Sequence, residues 1–376
     1  MNSIGIYIHF PFCASKCKYC NFNSYAGKND LQLKYFQSLI KEIDIYGNKD
    51  LSVDTIFIGG GTPSIMFSGC ISTLLSELKK KFNVLEDAEI TIEANPNSIT
   101  KSKVIEWKES GVNRVSVGLQ TINPNLLKLI GRPHTRNDYI NAVNIIREAG
   151  IENINTDCLI GLPRQKQSDV KKMLQLVEKL NCTHVSVYSL ILEEDTPLYT
   201  LVSNGTLKLP KEEKTLGMYN YANKFLNLHG YNRYEVSNFS RENYECKHNT
   251  NTWLMHNYIG FGAGSHSFVG NKRYNNIAQI EDYIKVVGLN KKPIENEETI
   301  TKNELFEETI MLGLRTKYGI NLVDINTKFK INIQNTKKDT IKYFLDNGLI
   351  EIKGDILRVT DYGYPVLKKI ILELVS

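Results

Sequence analysis

Three cysteines near the start of the chain have the residue type and spacing best suited to chemistry. Cys13, Cys17 and Cys20 form the pattern Cys-x-x-x-Cys-x-x-Cys. An iron–sulfur cubane normally takes four thiolates, so three thiolates on one short loop would leave one iron with an exchangeable position. Catalytic zinc keeps an open coordination position in the same way. The spacing therefore predicts a [4Fe-4S] cluster whose fourth iron is open to a ligand.

A zinc site is the alternative reading of the same cysteines, with His9 as the fourth ligand. Zinc sites usually combine Cys-x-x-Cys with a second, distant pair of ligands. The three-residue first gap and the lack of a second pair both disfavour zinc. Lys16 and Lys18 stand within the loop, and their charges are expected to lower the thiol pKa values.

The cysteine count and the overall composition agree with a metal site in a globular protein. Seven cysteines among 376 residues is an odd number, and three of them fall within eight positions, which does not suit a disulfide framework. Cys70, Cys158 and Cys182 lie in apolar periodic segments and are expected in the core. The hydrophobic fraction of 41% is typical of globular chains, and 376 residues suffice for more than one folded unit.

The charge and hydropathy of the chain indicate which binding partners and which cellular location to expect. The net charge of +5 comes from 46 basic and 41 acidic residues that are interspersed, so no nucleic acid is expected as a partner. No stretch has the pattern of a secretory signal or of a membrane span. We therefore expect a cytoplasmic location, and a peripheral contact with a membrane surface stays open.

The first half of the chain alternates short β-branched runs with amphipathic stretches. This alternation is typical of repeated βα units around a parallel sheet, and it predicts the α/β fold class with a partial (β/α)6 barrel of the TIM type. In such barrels chemistry occurs at the carboxyl ends of the strands. The six predicted strands are Ile4–Phe10, Asp54–Ile58, Glu89–Glu93, Arg114–Val117, Asn153–Asp157 and His184–Tyr188.

The end of the chain has a different character. From Thr301 onward the pattern predicts three helices, a hairpin over 349–359 and an apolar closing helix over 364–374, which together resemble a winged-helix unit. The candidate recognition helix, 336–347, carries few arginines, so packing is expected instead of DNA binding. The predicted domains are a barrel over 1–235, a linking segment with a His-Asn-x-x-x-Trp-type motif over 236–295, and a small helical, winged-helix-like module over 296–376. The linking segment is expected to be irregular as far as about Tyr274.

The cysteine pattern resembles a known family. Cys-x-x-x-Cys-x-aromatic-Cys after the first barrel strand is similar to the hallmark of the radical S-adenosylmethionine (SAM) superfamily. The resemblance implies that SAM occupies the open iron and is cleaved to a 5′-deoxyadenosyl radical, with the protein supplying binding, orientation and exclusion of water. By the same resemblance Tyr19 lies against the adenine.

Further segments resemble the HemN/HemW branch of that superfamily. They are 5–9, the Gly-Gly-Gly-Thr-Pro loop at 59–63, Gly-Arg-Pro-His at 131–134 and 158–163, and the match runs from about 5 to 266. Residue types fit the implied task, because glycines admit a ligand to the backbone, carboxylates accept from ribose hydroxyls and a guanidinium pairs with a carboxylate. The SAM contacts implied in this way are Tyr7, Gly60, Gly61, Thr62, Glu93, Gln120, Arg132 and Asp157, with Ile191 as a further candidate from the sixth strand. His266 faces either the SAM cavity or a hydrogen bond in the core, and as a SAM contact it stays one of two alternatives. A dinucleotide reading of Gly-x-Gly-x-Gly at 260–264 is rejected, since no βαβ unit flanks it.

Two details favour the haem chaperones of this branch over its coproporphyrinogen dehydrogenases. Phe22 stands where the dehydrogenase pattern has a further cysteine, and twelve residues before Cys13 are too few for the dehydrogenase arm. The run from Cys246 to Trp253 resembles the chaperone motif His-Asn-x-x-Tyr-Trp, with Thr252 in place of the tyrosine. The resemblance implies haem as a bound group, with His248, Cys246 and Trp253 as its contacts.

The function expected is therefore that of a haem chaperone. It would hold the [4Fe-4S] cluster with exchangeable SAM, take electrons from a low-potential donor and transfer haem to an acceptor protein. Two alternatives stay open: an oxygen-independent coproporphyrinogen III dehydrogenase, and a non-catalytic scaffold that carries the cluster and binds haem.

Overall fold

A twelve-stranded sheet is the centre of the fold in the computed structural model, which describes residues 3–375. The strands in chain order are β1 Ile4–Phe10, β2 Phe12–Cys13, β3 Tyr25–Ala26, β4 Asn48–Gly60, β5 Phe82–Ala94, β6 Arg114–Gln120, β7 Asn153–Ile160, β8 His184–Ser189, β9 Asn232–Arg233, β10 Asn238–Ser240, β11 Tyr258–Phe261, β12 His266–Val269, β13 Lys272–Asn276, β14 Ile294–Thr299, β15 Ile320–Asn321, β16 Ile350–Lys353 and β17 Ile356–Val359.

Helices fill the intervals between these strands. In chain order they are α1 Gln32–Tyr46, α2 Cys70–Lys81, α3 Lys101–Ser110, α4 Pro124–Ile130, α5 Arg136–Glu148, α6 Gln167–Lys179, α7 Pro197–Ser203, α8 Glu212–Leu228, α9 Lys247–Trp253, α10 Ile280–Gly288, α11 Lys302–Gly313, α12 Leu322–Phe329, α13 Ile333–Thr336, α14 Lys338–Asp346 and α15 Leu367–Val375.

The predicted partial barrel is confirmed. Strands β1, β4, β5, β6, β7 and β8 lie side by side in that order, and every neighbouring pair is parallel. All six predicted strands are present, with β4 and β5 longer than expected at 13 residues each. Parallel pairing of consecutive strands requires a crossover, and the predicted amphipathic segments supply it as helices.

Strand β6 shows how the barrel encloses a polar interior. Successive side chains of a strand point to opposite faces, so its residues alternate between the helix layer and the lumen. Val115 and Val117 belong to the apolar core against the helices, whereas Ser116 hydrogen-bonds to side chains of the neighbouring β7. The lumen of this barrel is therefore lined by groups that can bind a polar ligand.

The part of the linking segment expected to be irregular, as far as about Tyr274, contains short strands and a helix. Strand β11 pairs in parallel with β1, and β12, β13 and β14 extend the sheet as antiparallel neighbours. Strands β10 and β9 extend the other edge beyond β8. The positions of the predicted domain boundaries stay predictions.

The last part of the chain builds a core of its own. Apolar residues from Ile310 to Leu374 form a cluster separate from that of the barrel, beside the three-stranded sheet β15-β17-β16. The predicted hairpin is confirmed as β16 and β17. This C-terminal module contacts the barrel through an ion pair between Arg233 and Asp361, and through Lys317 N, which donates to Tyr234 O at 2.8 Å. Among the described residues, no helix is both long and apolar enough to cross a membrane.

Candidate active site

The loop that carries the three cysteines is fastened to the barrel on two sides. Lys18 N donates to Ile130 O at 3.0 Å, and Lys18 O accepts from Leu198 N at 2.8 Å. Within the loop, Lys16 Nζ donates to Phe22 O at 3.2 Å and Cys20 N donates to Cys17 O at 3.2 Å. The loop after β1 is thus held in place by backbone contacts that do not involve the thiols.

Burial governs the cysteine thiols more than any lysine does. Cys13 is buried, while Cys17 and Cys20 are partly exposed. Burial raises the pKa values of Cys13 and Cys17, and the positive charge of Arg132 opposes this rise. Lys16 Nζ donates to loop carbonyls, and the cation that opposes burial at Cys13 and Cys17 is Arg132, from the segment between α4 and α5.

His9 is not free to act as a fourth zinc ligand. Both of its ring nitrogens are engaged, with Nε2 2.8 Å from Asn23 O and Nδ1 3.0 Å from Tyr7 Oη. The loop then offers three thiols, which agrees with a cubane that has one corner left open.

The Gly-rich loop after β4 closes against the cysteine loop. Gly60 has φ +109°, and a Cβ on it would lie 2.7 Å from the His9 ring. A Cβ on Gly61 would lie 2.6 Å from Phe12 O. Gly61 N donates to Phe10 O and Thr62 N donates to Phe12 O, both at 2.8 Å. Only glycine allows this approach of the two loops, so the predicted site glycines have a geometric reason.

A directed series of hydrogen bonds runs from Arg132 to the first thiol. Arg132 donates to Asn95 Oδ1, Asn95 Nδ2 donates to Thr62 Oγ1 at 3.2 Å, and Thr62 Oγ1 donates to Cys13 Sγ at 3.5 Å. Each group donates a hydrogen bond to the next one, and the last acceptor is the Cys13 sulfur. Its polarity favours a negatively charged sulfur at that end.

Two carboxyl groups face the lumen near these loops. Glu93 Oε2 accepts from Gly60 N at 3.1 Å. Burial, and then the neighbouring charge of Asp157, raise the pKa of Glu93 to about 8. Burial also raises the pKa of Asp157, against hydrogen bonds from Asn155 Nδ2 at 2.8 Å and Ser116 Oγ at 3.2 Å. Shifted carboxyl pairs in a polar cavity are typical of ligand sites.

The last residue of β6, at the carboxyl end of the strand, has an unusual backbone conformation. Gln120 has φ +64°, which is strained for a residue other than glycine, and it is buried. A Cβ on Gly118 would lie 2.6 Å from Arg132 Nη2, so the absent side chain makes room for the guanidinium. Tyr7 on β1 is paired with His9, and burial raises its pKa. The structure thus brings Tyr7, Gln120 and Arg132 to the same end of the barrel.

The other predicted SAM contacts lie at the rim. Tyr19 packs on a small apolar cluster that includes Leu126 and Leu159, with Arg132 next to its hydroxyl. His266, on β12, is exposed, and its charge lowers the pKa of His9 behind the larger effect of burial. Ile191 is 71% exposed and follows the end of β8.

Comparison with known proteins identifies the family. Residues 7–177 match the model of the Radical SAM superfamily, and residues 300–366 match the HemN C-terminal domain. The heme chaperone HemW of Lactococcus lactis is 35% identical over 95% of this chain and 93% of its own length. The heme chaperone HemW of Bacillus subtilis is 34% identical over 95% of each chain.

The chain belongs to the HemN/HemW branch of the radical SAM superfamily. The solved structure of coproporphyrinogen III oxidase (HemN) from Escherichia coli agrees in fold, with a TM-score of 0.87 over 100% of this chain and 90% of that one, at 21% identity. Membership in the radical SAM superfamily implies a [4Fe-4S] cluster and SAM.

The predicted haem contacts do not lie with the cysteine loop of this radical SAM protein. His248 Nδ1 lies 2.9 Å from Thr55 Oγ1 and Cys246 Sγ donates to Glu89, on the part of β4 and β5 remote from their carboxyl ends. Both residues are buried, and Glu89 also accepts from the backbone of α9. Trp253 is partly buried, under the Arg315 guanidinium at 5.8 Å. The side chains of Cys246 and His248 are thus hydrogen-bonded at the base of the barrel, and their role as haem contacts stays a prediction.

Several functional positions escaped sequence reasoning. Asn95 and Gly118 serve the series that ends on Cys13, while Ser116 and Asn155 hold the Asp157 carboxylate. For the residues on β6 and β7, the pattern of the strands could have indicated them. Polar residues or glycine recur at every second position of these strands, whereas an ordinary core strand of a parallel sheet is apolar on both faces.

Proposed function

We propose that this chain is a haem chaperone that binds a [4Fe-4S] cluster through Cys13, Cys17 and Cys20, with SAM on the open iron. The observation that carries the proposal is the clamp between two loops: the cysteine loop lies against Gly61 and Thr62, directly above lumen-facing carboxyls. The haem part of the proposal is supported by the names of the relatives. Both are heme chaperones, and the match covers nearly their whole length.

The residues of the chain have separable tasks in this proposal. Glu93 and Asp157 would accept hydrogen bonds from SAM amino and ribose groups, and Arg132 would pair with its carboxylate. Gln120 and Tyr7 would complete the polar wall, and Tyr19 would cover the adenine. When bound, the cluster and SAM would supply one-electron cleavage of the sulfonium. What the chain contributes is orientation and exclusion of water.

One residue supports chaperone function over coproporphyrinogen oxidation. Phe22 follows the last cysteine at the position of the extra dehydrogenase cysteine, and its side chain is 62% exposed beside the loop. An aromatic group on the rim offers an apolar contact to a flat macrocycle. We propose that haem approaches this rim and passes to an acceptor protein, with electrons supplied by a low-potential donor.

Anaerobic reconstitution tests the proposal. The full chain is loaded with iron and sulfide, and haem is then titrated while the Soret band is followed. A stoichiometric shift, together with transfer of haem to an apo-protein, is the expected result. Formation of protoporphyrinogen from coproporphyrinogen would instead identify a dehydrogenase. Haem binding without 5′-deoxyadenosine under reducing conditions with SAM would identify an inert scaffold.

A further inference from the structure

A buried hydrogen-bonded series below the candidate SAM site is not explained by the function above. Tyr234 Oη lies 2.8 Å from His184 Nε2, and His184 Nδ1 lies 2.6 Å from Asn155 Oδ1. Asn155 Nδ2 then donates to Asp157 Oδ1 at 2.8 Å. His184 is fully buried and Tyr234 almost so. The series therefore joins the base of the barrel to a carboxylate of the site without solvent between its members.

Chemistry fixes the direction of every bond in this series. The Asn155 amide nitrogen must face the Asp157 carboxylate, because a carboxylate only accepts, and it also donates to Ser116 Oγ at 2.8 Å. The Asn155 oxygen therefore faces His184, so Nδ1 of His184 must carry the proton. Nε2 is then an acceptor, and the Tyr234 hydroxyl donates a hydrogen bond to it.

The imidazole is held in one charge state as well as one tautomer. Burial, and then the charge of Arg114, lower the pKa of His184 well below its usual value. Ser186 Oγ donates to Asn155 Oδ1 at 3.1 Å, so the amide oxygen already has a second donor. Cys246 N donates to the Tyr234 oxygen at 3.3 Å, which leaves the Tyr234 proton for His184. A neutral ring with the proton on Nδ1 satisfies every member.

We infer that His184 is a positioning residue for SAM: its Nδ1–H holds the Asn155 amide so that Nδ2 stays directed at Asp157. The inference rests on the proposed contact between Asp157 and SAM. Without the proton on Nδ1 the Asn155 oxygen would keep only the Ser186 donor, so the amide would be held less firmly. Asp157 would then lose a donor and its fixed orientation toward the ligand.

Asparagine and glutamine at position 184 separate positioning from packing. The amide nitrogen of Asn occupies the place of Nδ1, whereas the amide of Gln reaches the place of Nε2. His184→Asn therefore keeps a hydrogen-bond donor to Asn155 but leaves a larger cavity than His184→Gln does. His184→Gln fills more of the imidazole volume but loses the donor to Asn155. If packing alone mattered, His184→Gln would be the milder change.

The measurement is the dissociation constant of radiolabelled SAM, obtained by anaerobic equilibrium dialysis of the reconstituted full chain. We expect His184→Gln to weaken binding about tenfold, the effect of one hydrogen bond to a charged group, and His184→Asn to weaken it less than about twofold. Tyr139→Phe is the matched control, because Tyr139 Oη lies 2.7 Å from Thr156 Oγ1 on the helix side of β7 and its loss should leave SAM binding unchanged. Iron content is compared for all variants.

Asp157→Asn separates the inference from the proposed function. If Asp157→Asn binds SAM like the unmodified chain, the proposed SAM contact is wrong. If Asp157→Asn loses affinity while His184→Gln does not, the positioning role of His184 is overturned and the SAM site stands. Equal losses in His184→Asn and His184→Gln would also overturn it, since they would indicate a packing role.

Discussion

The Thr62 hydroxyl donates a hydrogen bond to Cys13 Sγ across 3.5 Å, and the same oxygen accepts from Asn95 Nδ2 at 3.2 Å. One side chain thus links the Gly-rich loop, the end of β5 and the first of the three thiols. Hydrogen bonds to cluster sulfurs are among the factors that set the reduction potential of a cluster. Thr62 is therefore placed to influence the electron chemistry of the site as well as its shape.

Replacing Thr62 by valine should lower the reduction potential of the assembled cluster. The substitution keeps the shape and removes the donor, so the more negative reduced cluster loses about 1 kcal/mol, or about 40 mV for one electron. A redox titration followed by electron paramagnetic resonance measures the change. Thr91→Val is the control, because Thr91 Oγ1 is buried without a partner in the described chain. An equal shift in both variants would contradict the assigned role.

Loss of any one of the three cysteines should prevent stable cluster assembly. Cys17→Ala removes a thiolate from a loop that is held by other contacts, so the fold should survive while bound iron falls about tenfold or more. Iron analysis and the visible absorbance after anaerobic reconstitution report the outcome. Cys70→Ala is the matched control, since Cys70 begins α2 on the far side of the Gly-rich loop. Full iron content in Cys17→Ala would refute the ligand assignment.

Gly118→Ala should weaken SAM binding by displacing Arg132. The new methyl group would lie 2.6 Å from Arg132 Nη2, so the guanidinium must move and its bond to Asn95 must change. We expect about a tenfold loss of SAM affinity, measured by equilibrium dialysis. Gly217→Ala is the control: nothing lies within 4 Å of its new Cβ, and this helical position should gain about 0.5–1 kcal/mol of stability. Unchanged affinity in Gly118→Ala would show that Arg132 does not contact SAM.

Glu42 should make the fold less stable as the pH rises. Burial raises its pKa from 4.5 to about 7, against hydrogen bonds from Tyr283 and from the backbone of Gly262. Between those two pH values the folded chain keeps a proton that the unfolded chain releases, so the free energy of unfolding decreases by about 1 kcal/mol per pH unit.

Thermal unfolding across this pH window tests the Glu42 prediction. Glu42→Gln should reduce the slope of the melting temperature against pH, whatever its effect on the melting temperature itself. Glu109→Gln, at an exposed position of α3, should leave the slope unchanged. An unaltered slope in Glu42→Gln would mean that Glu42 is not the titrating group.

Much of the barrel could be predicted because its strands have a strong local signature. The run Arg114–Val117 alternates valines with polar residues and is flanked by helix-forming segments, and β6 begins where predicted. Strand ends then indicated Glu93, Gln120 and Asp157, because parallel strands place their carboxyl ends together. Nothing in that reasoning required knowledge of distant contacts.

The failures all depended on contacts between distant parts of the chain. Strand β11 is short and glycine-containing, and it is a strand because it pairs with β1 on one side and β12 on the other. The motif around His248 gave no indication that its imidazole would bind Thr55 at the base of the barrel. Likewise, the sequence near the cysteines suggested Lys16 as the compensating cation, whereas Arg132 comes from a loop more than a hundred positions later.

The pairing of β1 with β11 has a consequence for synthesis of the chain. Gly5 pairs with Tyr258, and Asn23, just after the cysteines, donates to Ala263 O at 3.0 Å. The cysteine loop is translated first but acquires its final neighbours only when the ribosome has released more than two thirds of the polypeptide. Contacts so distant in sequence form late during folding. We therefore expect iron and sulfide to be inserted only after most of the chain has been translated.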